Sequence, residues 1–519
     1  MNFVDDSDES AVSSQVDSVS DENLDREVRG GAHLDKPWWE WLDALATAIK
    51  VPLPLTQDGE ALQDIEPLNV GTACSGSDAP VKSLGLILGG QSHCIHHFSM
   101  DNWQPSEDFI CANFNPLHFY KNVGDLLEAG AECSVCRHSN CSVYNDQALD
   151  LFIMGFPCTP FSPLNLNRWA EGYDPFETLA AQPFFLFHRW LTSPQKKAEG
   201  CDIGKCGWPV AAAEIEEQRL DGNIPYALGL HPVRRQLPDG EWQAQKIKHR
   251  LAFLKEFSHK VFTLDARSSA LPQRRRRVFI LLVHVEGQQG LTKDVDFDKF
   301  DKLLELVKSN PMVPSPMDSF LHAEIPMETQ PTQKRARTVG PPRTMTHKTK
   351  KQIIEFRSKH GLPVWGSKDA RPFISTADGN LLAKLSEREQ HILDCVFCHF
   401  IKTSGHVPEE LVVNVNESLS RRAWAVGSVR VLSTGMKFYY HKTRDLMNLA
   451  TKFQMLGWCP DDLVIPTSVS ESHVNKILGN MIAVPTIGTV EVLVLLCFFP
   501  RFEHLTRGVN CLQRFKLVA

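Results

Sequence analysis

The sequence predicts an α/β protein, a doubly wound and mostly parallel sheet with a smaller domain inserted late in the chain. Three observations carry this expectation. Leu151 to Met154 is a short apolar run that stops at Gly155, as a strand buried on both faces of a parallel sheet would. Asn69-Val70-Gly71-Thr72-Ala73-Cys74-Ser75-Gly76 reads as a strand end running into a turn of small residues, with a helix starting through Val81 to Leu84. Cys94 to Met100 is a further strand, and it ends in Asp101.

The 519 residues are enough for roughly two to four domains, and 42% hydrophobic with 23% charged residues is a globular composition. A net charge of -7 gives no global basic field that would announce a nucleic-acid partner. Much of the acid is local, however. Residues 1–30 hold nine Asp and Glu against Arg26 and Arg29, so residues 1–35 are expected to be a disordered acidic tail. The start lacks the basic-then-apolar pattern of a secretory signal. The run from Ile487 to Pro500 is too short to cross a bilayer and contains Glu491. Fourteen Cys in such a chain point to a reducing compartment and free thiols.

Taken in order, Pro37-Trp38-Trp39-Glu40-Trp41-Leu42 opens a helix with Trp38, Leu42, Leu45 and Ile49 on one face, a packing stripe. The small-residue turn at 71–76 lets a ligand approach the backbone, and the helix after it offers free N–H groups. Asp101, at the end of the second strand, suits a ribose diol. Asn122-Val123-Gly124-Asp125 repeats the pattern, with Asp125 placed to receive an adenine amino group or to make a turn. Cys133-x2-Cys136-Arg137-His138-x2-Cys141 offers four soft ligands within nine residues. That spacing is tight for one tetrahedral zinc, and a thiol-rich loop without metal is the expectation.

The strand at Leu151 to Met154 leads into a loop in which Pro157 and Pro160 flank Cys158 and restrict the backbone on both sides. A thiol at the carboxyl end of a parallel strand stands where open α/β sheets place their ligands. Phe184 to Leu191 reads as a helix. Pro209 to Glu214 is either a strand ending in a carboxylate or the start of a helix continued by Glu216, Glu217 and Gln218. In Pro272-Gln273-Arg274-Arg275-Arg276-Arg277-Val278 four Arg precede an apolar strand. Alternation points Arg275 and Arg277 one way, and Arg274 and Arg276 the other. Residues 286–430 differ in character. They hold a flexible basic linker near 331–351, containing Lys334-Arg335-Ala336-Arg337, and one helix from Lys384 to Ile401 with Leu385, Ile392, Val396 and Phe397 as its apolar positions. Thr443 to Ala450 starts a helix that runs towards Gly457-Trp458, and Ile477 to Pro485 leads into a closing apolar helix.

In this order the motifs resemble the cytosine-5 DNA methyltransferase family. The resemblance spans about residues 69–283 and 436–499. It rests on Gly71-Thr72-Ala73-Cys74-Ser75-Gly76 with Asp101 and Asp125, on Gly155-Phe156-Pro157-Cys158-Thr159-Pro160-Phe161-Ser162, on Pro272-Gln273-x-Arg275-x-Arg277-Val278, on Thr443-Arg444-Asp445-Leu446, and on Gly479-Asn480 with Val484-Pro485. The loop around Cys158 and the arginine motif are specific signals; the first turn is loose. Two departures are plain. Glu214, the best-placed acid, is followed by Ile215 and Glu216 instead of the family's Asn and Val, and Ser77-Asp78 follows Gly76 where a second Gly is usual.

The resemblance implies a Rossmann-like methyltransferase domain at 36–285 and 431–519, with a target-recognition domain at 286–430. It implies S-adenosylmethionine as cofactor, held by Ala73, Cys74, Ser75, Gly76, Asp101, Asp125, Pro157, Asn480 and Val484, and no metal. Cys158 is then the nucleophile on carbon 6 of cytosine. Glu214 serves N3, Arg275 serves the carbonyl oxygen, and Arg277 orients the base or Glu214. The implied partner is DNA with its target base flipped out; no membrane is involved, and a monomer working in the nucleus is expected. Methylation of tRNA, or an inactive nucleic-acid-binding paralogue, are the alternatives.

Overall fold

The computed structural model describes residues 38–53, 67–74, 76–127, 132–137, 149–155, 186, 210–216, 257–273, 275–284, 297–321, 345–421, 423–429, 432, 434–499 and 502. Its main sheet has seven strands: β1 (Leu68–Ala73), β2 (Cys94–Met100), β3 (His118–Tyr120), β4 (Leu151–Gly155), β5 (Val210–Glu216), β6 (Phe257–Asp265) and β7 (Arg276–His284). They lie in the order β3-β2-β1-β4-β5-β7-β6. The first five are parallel, and β7 is antiparallel to both of its neighbours. This is the doubly wound, mostly parallel sheet that the sequence predicts. The strand order reverses direction at β1 and β4, so ligands belong in the crevice outside the carboxyl ends of those strands.

Eleven α-helices fall among the described residues. They are α1 (Trp41–Ile49), α2 (Ala79–Ile87), α3 (Gln104–Phe114), α4 (Asp298–Ser309), α5 (His347–Lys359), α6 (Pro372–Thr376), α7 (Gly379–Lys384), α8 (Glu387–Ser404), α9 (Leu449–Gln454), α10 (Glu471–Asn480) and α11 (Val484–Phe498). Apart from Thr486, Thr489 and Glu491, α11 is apolar on every side, and nearly all of it is buried. Pro485 stands in its first turn, where a missing N–H costs nothing. α1 lays Trp41 on Gly488 of α11 so closely that a Cβ there would come within 2.3 Å of the indole. The buried face of α1 is Trp41, Ala44, Leu45, Ala48 and Ile49; Leu45 and Ile49 pack as expected, Leu42 is half-buried, the Trp38 side chain lies outside the described residues, and Trp39 stays exposed. Among the described residues no single helix is long and apolar enough to cross a membrane.

A second sheet has the order β11-β10-β8-β9, formed by β8 (Leu411–Asn414), β9 (Trp424–Val426), β10 (Phe438–Tyr440) and β11 (Asp445–Leu446). Alternation makes it a shared wall. Leu411, Val413 and Tyr439 join a core with Ile353, Phe373, Ile392 and Val396, whereas Val412, Phe438 and Tyr440 join the main core. Phe300, Leu303, Leu304 and Phe320 belong to the main core, and the small core runs from Met345 to Leu446.

Three local expectations change. The long helix begins at Glu387 and not at Lys384, because Ser386 and Glu389 form a capping box: the Ser386 hydroxyl accepts from the Glu389 N–H at 3.4 Å, and the Glu389 carboxylate accepts from the Ser386 N–H at 2.7 Å. The stretch from Thr443 is a turn and then β11; its helix starts only at Leu449, where the Asn448 side chain accepts from the Thr451 N–H at 2.8 Å. The end of the basic linker is helical, since Thr346 caps α5 and residues 347–351 form its first turns.

Candidate active site

The turn after β1 is shaped by close packing. Gly71 lies against Phe98 of β2, and a Cβ there would come within 2.6 Å of the ring. Cys74 takes a left-handed φ of 51° while its N–H donates to the Met100 carbonyl at 2.8 Å. Gly76 takes φ +69° beside Asn480, whose carbonyl oxygen would stand 3.5 Å from an added Cβ. The turn and the late Gly-Asn element thus meet. Asp78 occupies the place where the family has a second Gly. It adopts φ 53°, a left-handed conformation that Asp tolerates better than most residues. Its buried carboxylate accepts from the Thr72 hydroxyl at 2.8 Å and faces His96 Nε2 at 3.4 Å. Burial holds His96 below its ordinary value, with the Asp78 charge opposing.

Asp101 stands at the carboxyl end of β2. One carboxylate oxygen accepts from the Trp103 N–H at 3.0 Å, and the Gly76 N–H also donates to this side chain. Burial pushes its carboxyl up to about 6 against those two hydrogen bonds. Trp103, which sequence reasoning passed over, carries the Lys476 ammonium 4.3 Å from its ring centroid and meets His473 edge-on at 5.5 Å. An aromatic two residues after a strand-ending acid was the available signal. Asp125 makes the turn: its carboxylate accepts from the Asn122 N–H at 3.0 Å.

The open reading of Pro209 to Glu214 resolves into a strand. β5 runs parallel to β4 with Gly155 paired to Glu214, so the backbone of the acid stands beside the residue three positions before Cys158. Cys158, Pro157 and Ser75 lie outside the described residues, as do His138, Cys141 and all of Phe184 to Leu191 except Leu186. Among described thiols, burial pushes Cys94, Cys111, Cys395 and Cys497 up to about 12, which makes them poor nucleophiles. Ala73 is buried at the end of β1, and Val484 is buried in the main core, its N–H donating to the Leu456 carbonyl at 2.8 Å.

The arginine motif binds the fold together. Arg275 and Arg277 are each only 3% exposed. The Arg275 N–H donates to Asp265 at 3.0 Å, and its guanidinium donates to the carbonyls of Leu432 at 3.1 Å, Gly479 at 3.3 Å and Met481 at 2.5 Å. Through these three bonds Arg275 positions the Gly479-Asn480 element. Arg277 stands at the register position opposite Glu216, at the edge where β4 and β5 end. Gln273 is fully buried, and its amide donates to the Met455 carbonyl at 2.7 Å.

A seven-stranded sheet in this order, with an antiparallel seventh strand and a glycine turn at the edge of β1, is a Rossmann-like methyltransferase fold. No family model matches the chain. A DNA (cytosine-5-)-methyltransferase named DMT5, from Verticillium dahliae, is 29% identical over 147 residues, which are 27% of this chain and 6% of that protein. The match thus covers only a small part of that relative's length. Solved structures with a partial likeness include the Schizosaccharomyces pombe Dnmt2 methyltransferase (10% identity, 83% of this chain and 100% of that one, TM-score 0.39). A putative DNA modification methyltransferase encoded within an Escherichia coli prophage is 13% identical, covers 83% of this chain and 99% of its own, and has a TM-score of 0.42. The fold assignment rests on the strand order, not on these scores.

Proposed function

We propose that this chain transfers a methyl group from S-adenosylmethionine to carbon 5 of cytosine in DNA through a covalent adduct on Cys158. The observation that supports this most is one register: Gly155 beside Glu214, at the same edge of the sheet as the Gly71–Gly76 turn and Asp101. The segment carrying the thiol and the acid therefore leave adjacent strands next to a cofactor-type turn.

The residues present fit S-adenosylmethionine. Gly76 has no side chain to fill the space beside Asn480, and the half-buried Asp101 carboxylate keeps acceptor capacity for a ribose diol after its two N–H bonds. When bound, the cofactor supplies an electrophilic methyl group. Cytosine carbon 5 is a poor nucleophile until carbon 6 is attacked. The Cys158 thiolate makes that bond, and the displaced ring electrons reach N3, where Glu214 delivers a proton. Carbon 5 becomes enamine-like and would accept the methyl group as its bond to the cofactor sulfur breaks, leaving the thioether. A base would then take the carbon 5 proton, the thiolate would leave, and N3 would return its proton to Glu214, which restores the ring. Since Arg275 is engaged elsewhere, Arg277 is the arginine for the carbonyl oxygen, a contribution of about 3 kcal/mol for a preorganised donor. Stacked DNA hides carbon 5, so the base must swing out, which costs a few kcal/mol. A nuclear site of action belongs to the same proposal, through that substrate and Lys334-Arg335-Ala336-Arg337.

The test is labelled methyl transfer from S-adenosylmethionine to CpG duplex DNA and to total tRNA, side by side, with the full chain and Cys158→Ser. Label in DNA with wild type alone supports the proposal. Label in tRNA alone, or label in neither with cofactor still bound, replaces it with the RNA enzyme or the inactive paralogue.

A further inference from the structure

We propose that the chain carries a zinc site of its own at the edge of the main sheet, held by His118, Cys133 and Cys136. A ring nitrogen of His118 and the two sulfurs all lie within 4.8 Å of one another. Cys133 Sγ is 3.7 Å from His118 Nδ1. Zinc–sulfur and zinc–nitrogen bonds of about 2.3 and 2.0 Å at tetrahedral angles require a separation of roughly 3.5 Å between such donors, so one small ion fits between them with little movement.

The backbone is already arranged for a metal thiolate. Cys133-Ser134-Val135-Cys136 folds into a turn that ends at Arg137, left-handed at φ 56°. The Arg137 N–H donates to the Cys133 carbonyl at 2.9 Å. Two further N–H groups, from Phe119 and Cys136, point at Cys133 Sγ at 3.4 Å each. Both N–H groups orient that sulfur, which belongs to a fully buried residue. Ser134 anchors the same turn, its N–H donating to the Phe119 carbonyl at 3.0 Å.

The consequence is structural. β3 has three residues and forms the outer edge of the parallel half of the sheet. A metal joining its first residue to the turn at 133–136 would fasten the connection between β3 and β4 over that edge, beyond the Asp125 turn. Binding releases the two thiol protons as the thiolates form.

The full chain, purified without added metal or chelator, should contain about one zinc per molecule by plasma emission. Cobalt put in its place should show thiolate charge-transfer and tetrahedral ligand-field bands. Cys133→Ser and His118→Ala should lower bound metal to about a tenth or less, while Cys111→Ser on α3 should leave it unchanged. Should the variants fail to fold, alkylation of wild-type Cys136 followed by mass spectrometry decides: reactivity should rise at least about tenfold once phenanthroline removes the metal. A wild-type chain that holds no zinc and gives no cobalt spectrum, or a Cys136 equally reactive with and without chelator, would overturn the proposal. These readouts are independent of methyl transfer.

Discussion

Asp101 joins the site to the solvent pH. Its carboxyl stands at about 6 because burial outweighs the N–H bonds from Trp103 and Gly76. Ribose hydroxyls donate to a carboxylate and not to its protonated form, so cofactor affinity should rise as pH increases through about 6. Asp101→Asn should weaken S-adenosylmethionine roughly tenfold or more, as expected for a lost hydrogen bond to a charged group, and should flatten the pH dependence. Titration calorimetry between about pH 5 and pH 8 reads both. An unchanged affinity in Asp101→Asn would remove this residue from the site. The acid was legible in the sequence as the end of a strand, and so was the small-residue turn. The contact between Gly76 and Asn480 was not, because it joins residues about 400 positions apart, and no local pattern encodes such a distance. His118 escaped for a similar reason: it sits one strand before the two Cys it approaches.

At the scale of elements, the arginine motif proved to be a joint. Arg275 ties the start of β7 to the segment between α10 and α11, and Gln273 ties it to the end of α9. Arg275→Ala should lower unfolding stability by about 2–4 kcal/mol, since it strands buried carbonyls, and should raise the cofactor Kd by loosening Asn480 beside Gly76. Arg275→Lys should not rescue it, because a point-charge ammonium cannot span three carbonyls. Chemical denaturation and cofactor titration check this; full stability with lost turnover would instead make Arg275 a group that touches substrate. The strands at Cys94 to Met100 and Leu151 to Met154 could be read from apolar runs alone. Val210–Glu216 could not, because its three Ala suit helix and strand alike, and pairing with β4 and β7 decides. The helix starts at Glu387 and Leu449 are encoded in Ser386-x-x-Glu389 and Asn448, whereas the apolar periodicity extends beyond these caps.

Across the whole molecule, one buried helix joins the early and late parts of the main core. α11 packs on α1, α2 and α4, and in the middle of it Glu491 is 2% exposed with Ser83 Oγ 2.5 Å away. Burial pushes its carboxyl well above the ordinary range. A folded-state value above the unfolded one means that the folded chain binds more protons, so this group lowers stability as pH rises from about 4.5 towards the folded value. Glu491→Gln keeps the shape and cannot ionise. It should be more stable than wild type at about pH 8 and close to it at about pH 5, a comparison that urea denaturation makes directly. Equal pH slopes in the two proteins would contradict the burial account. The alternation of layers was visible from sequence, but the small sheet's double role as a wall for two cores was not. Val412 and Val413 look alike as residues and differ only in which face of β8 they occupy.

The central claim is that Cys158 forms a bond to a DNA cytosine while S-adenosylmethionine is present. Fluorine at carbon 5 removes the proton whose loss releases the enzyme, so a duplex with 5-fluorocytosine at CpG should trap the adduct. The account predicts a cofactor-dependent species stable to denaturing electrophoresis, with the modified peptide mapping to Cys158 and absent in Cys158→Ser. No adduct from a chain that binds both cofactor and duplex, or an adduct on another cysteine, would contradict it.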